Sequence, residues 1–194
     1  MKKLFTLLCM ALAFIVTAPS YAEAQKIAIV PYLDTTEENK DYLPDLMKIY
    51  YDDAMVNLGL DVVGQDDVKN ALDQAGYDVS NQIVADKDIL SEVAEKTGAD
   101  YVVAVELSAL KATTHLSFFQ KKISVSAKLR YNFYITQTGK MMGFQVTGAD
   151  DNKAVFGDVG TKTPINNALK QATEKADEKI KGYITSGTDV IIEQ

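Results

Sequence analysis

Alternation of apolar and polar residues predicts two long β-strands in the second half of the chain. Between residues 122 and 136 every second residue is apolar, namely Ile123, Val125, Ala127, Leu129, Tyr131, Phe133 and Ile135. Residues 99–111 also carry an apolar face, and their other face turns from apolar to polar at Glu106. A period of two with one polar face is typical of antiparallel strands that are half exposed to water.

Shorter apolar runs predict the remaining strands. Residues 26–34 and 60–64 are β-branched or apolar and end at turn-forming residues, which favours buried strands. Residues 141–148 return after a QTGK turn as a strand. The final GTDVIIE segment, residues 187–193, predicts an edge strand.

Apolar residues at helical spacing predict four helices, in residues 41–59, 65–76, 86–98 and 163–184. Pro44 and Pro164 fall in first turns, and Gly59, Gly76 and Gly98 fit the ends of helices. The predicted order is β-α-β-α-α-β-β-β-α. This order favours an α+β fold, in which a mixed, mostly antiparallel sheet packs its helices on one face as a two-layer sandwich.

The first 24 residues have the pattern of a secretory signal peptide. Lys2 and Lys3 precede an apolar run from Leu4 to Val16, and small residues at 20–24 fit a cleavage site. We therefore expect residues 25–194 to form a single domain that is exported to the periplasm, or alternatively secreted, and is soluble after cleavage. Cys9 lies too early for a lipid-attachment site, so neither a lipid anchor nor a disulfide is expected.

The charge and composition of the chain narrow the classes of partner that it can bind. The formal net charge is -7, and cleavage after Ala24 would remove two lysines and one glutamate. An acidic chain without a basic stripe is a poor nucleic-acid ligand, because phosphate neutralisation supplies most of that affinity. The same acidity disfavours binding to anionic lipid headgroups.

The sequence shows no pattern for catalysis, and neither a cofactor nor a metal is expected. His115 is the only histidine, and no nucleophile or carboxylate motif surrounds it. A zinc site needs three or four ligands, usually His or Cys. Asp150 and Asp151 open a segment that lacks the glycine and closing glutamate of a calcium loop. We therefore predict a non-enzymatic protein.

The connection between the two long strands carries apolar residues where polar ones are usual. It contains Leu116, Phe118 and Phe119, followed by Lys121 and Lys122. In one interpretation it is an overlong hairpin in which Leu116 and Phe118 continue one face, Phe119 folds onto the end of the sheet and the lysines protect the edge. In the other, these five residues form a tip that binds a partner or a membrane surface, since apolar anchors within a basic rim suit recognition.

Three segments carry a resemblance to known envelope proteins: LDVVGQDDVKNALDQAGY, LSEVAEKTGADYVVAVELS, and the long strand that ends in ITQTGK. Together they are similar to the fold shared by the TolB amino-terminal domain, CsgG and LpoB. The resemblance spans roughly residues 26–184. It implies an accessory protein for envelope assembly or secretion in a double-membraned bacterium.

Two functional hypotheses follow. The first is a periplasmic binding module that serves envelope assembly or secretion, with envelope proteins as partners and at most peripheral contact with a membrane. The second is a structural subunit of an envelope complex that self-associates through an exposed sheet edge, such as residues 187–193.

Overall fold

The computed structural model describes residues 24–36, 38, 40–81, 83–118, 120–154 and 160–189. Within these ranges four helices occur. Helix α1 consists of Leu43–Met47, a π-helical turn Lys48–Asp52 and Asp53–Val56; α2 is Gln65–Gln74, α3 is Lys87–Thr97 and α4 is Lys162–Asp189. Asp86 begins α3 by accepting hydrogen bonds from the N–H groups of residues 88 and 89, and Gly98 ends it at φ 66°.

The described strands form one mixed sheet. Their bounds are β1 Lys26–Ile29, β2 Leu33–Asp34, β3 Asp61–Val62, β4 Tyr101–Leu116, β5 Lys121–Ile135 and β6 Lys140–Ala154. The order across the sheet is β3-β1-β4-β5-β6, and β2 also pairs with β4. Strand β1 pairs in parallel with β3 and β4, and β2 pairs in parallel with β4. Strands β4, β5 and β6 form an antiparallel meander. The α+β class and the mixed, mostly antiparallel sheet are confirmed.

The antiparallel half carries its helices on one face, as predicted. Helices α1 and α4 pack over the apolar residues of β4, β5 and β6, which include Leu129, Tyr131 and Phe133 at 0% exposure. The opposite face of this half carries polar residues such as Ser124, Ser126 and Lys128. This half is therefore the two-layer part of the fold.

The parallel half is covered on its second face as well. Ala28 and Val30 beside β1, together with Val102 and Ala104 of β4, pack against α2 and α3. Strands of parallel sheets are usually buried on both faces. The continuous apolar run in residues 26–30 is the sequence signal for this cover.

Strands β4 and β6 continue further than the sequence patterns predicted, β4 to Leu116 and β6 to Ala154. Strand β4 continues to Leu116, although residues 111–116 are all exposed. A bulge between Leu107 and Ala109 shifts the register, so that Leu110 lies on the core face. The interpretation of residues 112–121 as a long connection is therefore wrong, because backbone pairing with β5 continues where apolar alternation has stopped.

The chain end also differs from its prediction. Residues 187–189, which were expected to open an edge strand, belong to helix α4, while residues 190–194 lie outside the described part of the chain. Among the described residues, no helix has both the length and the apolar character needed to span a bilayer.

Candidate functional site: the tip of the β4–β5 hairpin

The hairpin tip, defined as residues 114–122, ends in a very short turn. The Ser117 N–H donates to the Gln120 carbonyl at 2.8 Å, and the Gln120 N–H donates back to the Ser117 carbonyl at 3.4 Å. The Ser117 hydroxyl also donates to the Gln120 carbonyl at 3.0 Å. Only residues 118 and 119 separate this hydrogen-bonded pair.

The residues in this turn are not those that its geometry favours. Two-residue hairpin loops prefer Asn-Gly, Asp-Gly or Gly-containing pairs, because their backbone takes positive φ angles. The chain instead places Phe118 and Phe119 there. Departures from local sequence rules are expected at functional or strained sites, and Phe118 is the described residue that departs from them here.

The side chains of Leu116 and Phe118 are exposed to solvent and are not part of the core. Their exposed fractions are 78% and 97%, whereas Ile123 and Val125 on β5 are only 3% and 2% exposed. Phe118 is therefore exposed to solvent, and the assignment of these residues to partner binding stays a prediction. Phe119 lies outside the described residues, and its role stays a prediction.

The two lysines of the predicted tip lie on opposite faces of the sheet. Lys121 pairs with Leu116 on the face that further along the strand packs on α4, and Lys122 pairs with His115 on the helix-free face. Lys122 Nζ is 2.7 Å from an oxygen of Asp151. A hydrogen bond from Lys122 lowers the pKa of the Asp151 carboxyl. This ion pair ties β6 to the tip.

One basic residue near the tip was missed by the sequence analysis. Lys153 lies directly beside Lys122 because β6 continues to Ala154, and it is exposed. Lys111 lies on the same helix-free face, four residues before His115. The segment GADDNKA has no apolar alternation, so the sequence offered no signal that it would be a strand.

A second polar cluster joins the two halves of the sheet further from the tip. Glu106 is 8% exposed and accepts hydrogen bonds from Arg130 at 2.9 Å and from the Thr35 hydroxyl at 2.9 Å. A buried carboxylate needs such partners to offset its desolvation. The cluster connects β4 and β5 to Thr35, which directly follows β2. We assign it a structural role.

A half-buried carboxylate on α4 lies close to the aromatic core. Burial raises the pKa of Asp177 to about 6; Lys181 opposes the rise and Glu174 adds to it. Burial also raises the pKa of the Tyr131 hydroxyl, and the charge of Asp177 adds to that rise. Oδ1 of Asp177 and the Tyr131 hydroxyl have no hydrogen-bond partner among the described residues.

We expect this carboxylate to make stability depend on pH. Its folded-state pKa of about 6 is above the ordinary value of 3.8, so the folded protein binds the extra proton. The contribution of protonated Asp177 to the free energy of unfolding is fully present below pH 4 and is lost as the pH rises through 6. Asp177→Asn should therefore raise the free energy of unfolding at pH 7.5 by about 1 kcal/mol, after allowance for solvent screening.

Urea unfolding at pH 4.5 and at pH 7.5 measures this effect. The Asp177→Asn protein should lose much of the difference between the two pH values. Glu178→Gln is the matched control on the same helix, since Glu178 is exposed and is not among the groups that shift the Asp177 pKa, and it should keep that difference. An Asp177→Asn protein with the pH dependence of the parent would contradict the assignment.

In the described part of the chain, no group of three or more His, Cys, Asp or Glu residues is arranged to hold a metal ion. No family model and no curated protein matches the sequence. Comparison with solved structures does find similar folds.

The chain is similar in fold to the hypothetical protein CT253 from Chlamydia trachomatis. The TM-score is 0.55 at 17% sequence identity, covering 84% of this chain and 99% of that one. At this identity the likeness shows the fold alone. It places nearly the whole of that protein within the architecture described above.

A lipoprotein and a domain of LpoB are also among the structural neighbours. Lipoprotein GNA1162 from Neisseria meningitidis matches with a TM-score of 0.42 at 15% identity, covering 81% of this chain and 99% of that one. The C-terminal domain of LpoB from Salmonella enterica matches with a TM-score of 0.40 at 15% identity, covering 71% and 90%. These scores are too low to carry a functional argument. The TolB and CsgG parts of the resemblance stay predictions.

Proposed function

We propose that this protein is a non-enzymatic accessory module of the cell envelope that acts by docking through its hairpin tip. Three observations support the proposal. The N-terminal segment has the pattern of an export signal. The sequence resembles envelope-assembly proteins. The hairpin tip exposes the apolar side chains of Leu116 and Phe118.

The exposure of Phe118 is the observation on which the proposal mainly rests. Exposed apolar residues that are scattered singly need no explanation. Phe118 and Leu116, however, lie within two residues of each other at the end of a long hairpin, and both are largely exposed. A side chain that is 97% exposed is accessible to a partner outside the protein.

The first test separates docking from folding. The double variant Phe118→Ala, Phe119→Ala should change the free energy of unfolding by no more than about 0.5 kcal/mol, because exposed positions seldom affect stability. The same variant should lose most of its capture of envelope components from an extract. Denaturant unfolding and a pull-down measure the two effects.

Phe133→Ala is the matched control. Phe133 is 0% exposed, so its truncation should cost about 3–5 kcal/mol. If the tip variant showed a loss of that size, the rings would be part of the core. If it kept both its stability and its capture of envelope components, docking through the tip would be excluded.

Self-association is a second candidate, and an open sheet edge favours it. The two outer strands of the described sheet are β3, with two residues, and β6, with fifteen. Because hydrogen-bonded pairs alternate from the Ser117–Gln120 pair outwards, Thr147 and the other odd-numbered residues of β6 direct their backbone groups to the open edge.

Helix α4 partly protects this edge. The Lys175 ammonium donates to the Thr147 carbonyl at 2.7 Å, so one outward backbone acceptor already has a donor. Lysines on edge strands are a common device against edge-to-edge pairing. Light scattering on the exported protein decides this candidate: a mass that rises with concentration would favour it, and a constant monomer would exclude it.

A further inference from the structure

We propose that the surface bound by the hairpin tip is an anionic phospholipid bilayer, which Phe118 and Leu116 enter while nearby lysines bind the headgroups. This inference rests on the proposed docking function and names its target. It follows from the size of the tip, from the position of its charges and from the distribution of charge along the chain.

The tip is too small for a standard protein–protein interface. Such interfaces bury about 800 Å² per partner and involve about 20–30 residues on each side. Ile123 is the buried residue of β5 nearest to the turn. Between Ile123 and the turn, the hairpin offers only a few residues on each strand and a two-residue turn. Binding to a bilayer requires a smaller contact surface, because inserted apolar side chains and nearby cations are sufficient for peripheral binding.

The charges lie at the depth that headgroups would occupy. Lys122 and Lys153 lie side by side on the helix-free face and form a basic collar behind the turn, where Asp151 on the same face pairs with Lys122. Lys111 lies on this face about 13 Å further back. At about 3.3 Å per strand residue, the row of Lys122 and Lys153 lies roughly 10 Å behind Phe118. Membrane-surface segments bury their apolar face by about 5–10 Å. The collar therefore reaches the phosphates when Phe118 reaches the acyl chains.

The acidic part of the chain is distant from the tip. Residues 61–100 contain ten acidic and three basic residues, whereas residues 101–154 contain three acidic and seven basic ones. The helices of the acidic segment pack at Val102 and Ala104, about 40 Å along β4 from Leu116. Physiological salt screens charges beyond about 8 Å. The charge of the acidic segment thus does not oppose binding at the tip. Of the carboxylates nearer the tip, Asp151 is paired with Lys122.

A tryptophan reporter tests this inference directly, because the chain contains no tryptophan. The variant Phe118→Trp places a single indole at the tip of the exported protein. With vesicles of phosphatidylethanolamine and phosphatidylglycerol we expect a blue shift of its emission and quenching by brominated acyl chains. With phosphatidylcholine vesicles we expect neither. Ile83→Trp, at an exposed position in the acidic segment, is the matched control and should show no change.

The collar and the apolar anchor are tested separately by vesicle sedimentation. Lys153→Gln should weaken binding to anionic vesicles about fivefold, since each cation near such a surface contributes on that order. Phe118→Ala should weaken it about tenfold or more through lost apolar burial. Added salt should reduce binding of the parent and have less effect on binding of Lys153→Gln.

The outcomes distinguish this inference from the proposed function. No blue shift with anionic vesicles, or an equal shift for Ile83→Trp, would overturn the membrane target. If the parent then captured an envelope protein from lipid-free extract and Phe118→Ala did not, docking through the tip would stand with a protein as its target. If the parent protein neither bound anionic vesicles nor captured an envelope protein, both proposals would be overturned.

Discussion

Gly148→Ala should destabilise this protein more than any other single methyl group added to the sheet. A Cβ atom at this position would lie 1.9 Å from the Ala168 carbonyl oxygen and 2.7 Å from the Ala172 nitrogen. Both atoms belong to the backbone of α4, which cannot move aside as a flexible side chain would. Overpacking usually costs 1–3 kcal/mol, and this contact should reach at least about 3 kcal/mol.

The second described glycine of β6 is a matched control. A Cβ atom at Gly143 would lie 3.5 Å from the Asn132 side-chain oxygen, which is an ordinary contact. Gly143→Ala should therefore stay within about 0.5 kcal/mol of the parent. Urea unfolding of the two variants measures the difference. Equal midpoints would mean that α4 does not approach β6 as closely as described.

Two neighbouring tyrosines should respond in opposite directions when their hydroxyl groups are removed. Tyr51 and Tyr131 are both 0% exposed, and their ring centroids are 6.3 Å apart in an edge-on arrangement. The Tyr51 hydroxyl lies 2.9 Å from the Val30 carbonyl and 3.0 Å from the Val103 carbonyl, and it can donate to either. The Tyr131 hydroxyl has no hydrogen-bond partner among the described residues.

Tyr51→Phe should cost about 1–3 kcal/mol, because a buried hydrogen bond is lost and an acceptor between β1 and β4 loses its donor. Tyr131→Phe should be neutral or stabilising by about 1 kcal/mol, because it removes a buried polar group without a partner. Thermal and urea unfolding at pH 7 measure both. A similar loss in the two variants would show that Tyr131 makes a hydrogen bond of equal value.

The hairpin tip illustrates how far local sequence rules reach. Phe118 and Leu116 were singled out because apolar residues occupy a place where turn residues are usual. The same rules could not tell whether the rings cover the sheet or face water, since burial depends on what lies above them in three dimensions. The 97% exposure of Phe118 decides that point for this ring.

The sequence by itself determined the order of the elements and the core face of β5. Regular alternation from Ile123 to Ile135 depends only on the period of the strand, and all seven residues on that face are buried. The helix ends near Gly59, Gly76 and Gly98 could likewise be predicted from the sequence, because glycine favours the positive φ that ends a helix. All three glycines have a positive φ. Such signals are local and need no distant partner.

Only the tertiary structure decided the features that depend on a neighbouring strand or helix. β4 and β6 continue through residues with no apolar alternation because β5 pairs with both of them. That pairing brings Lys153 beside Lys122, and the approach of α4 makes Gly148 irreplaceable by a larger residue. Register and close packing arise between segments far apart in the chain, so no local pattern encodes them.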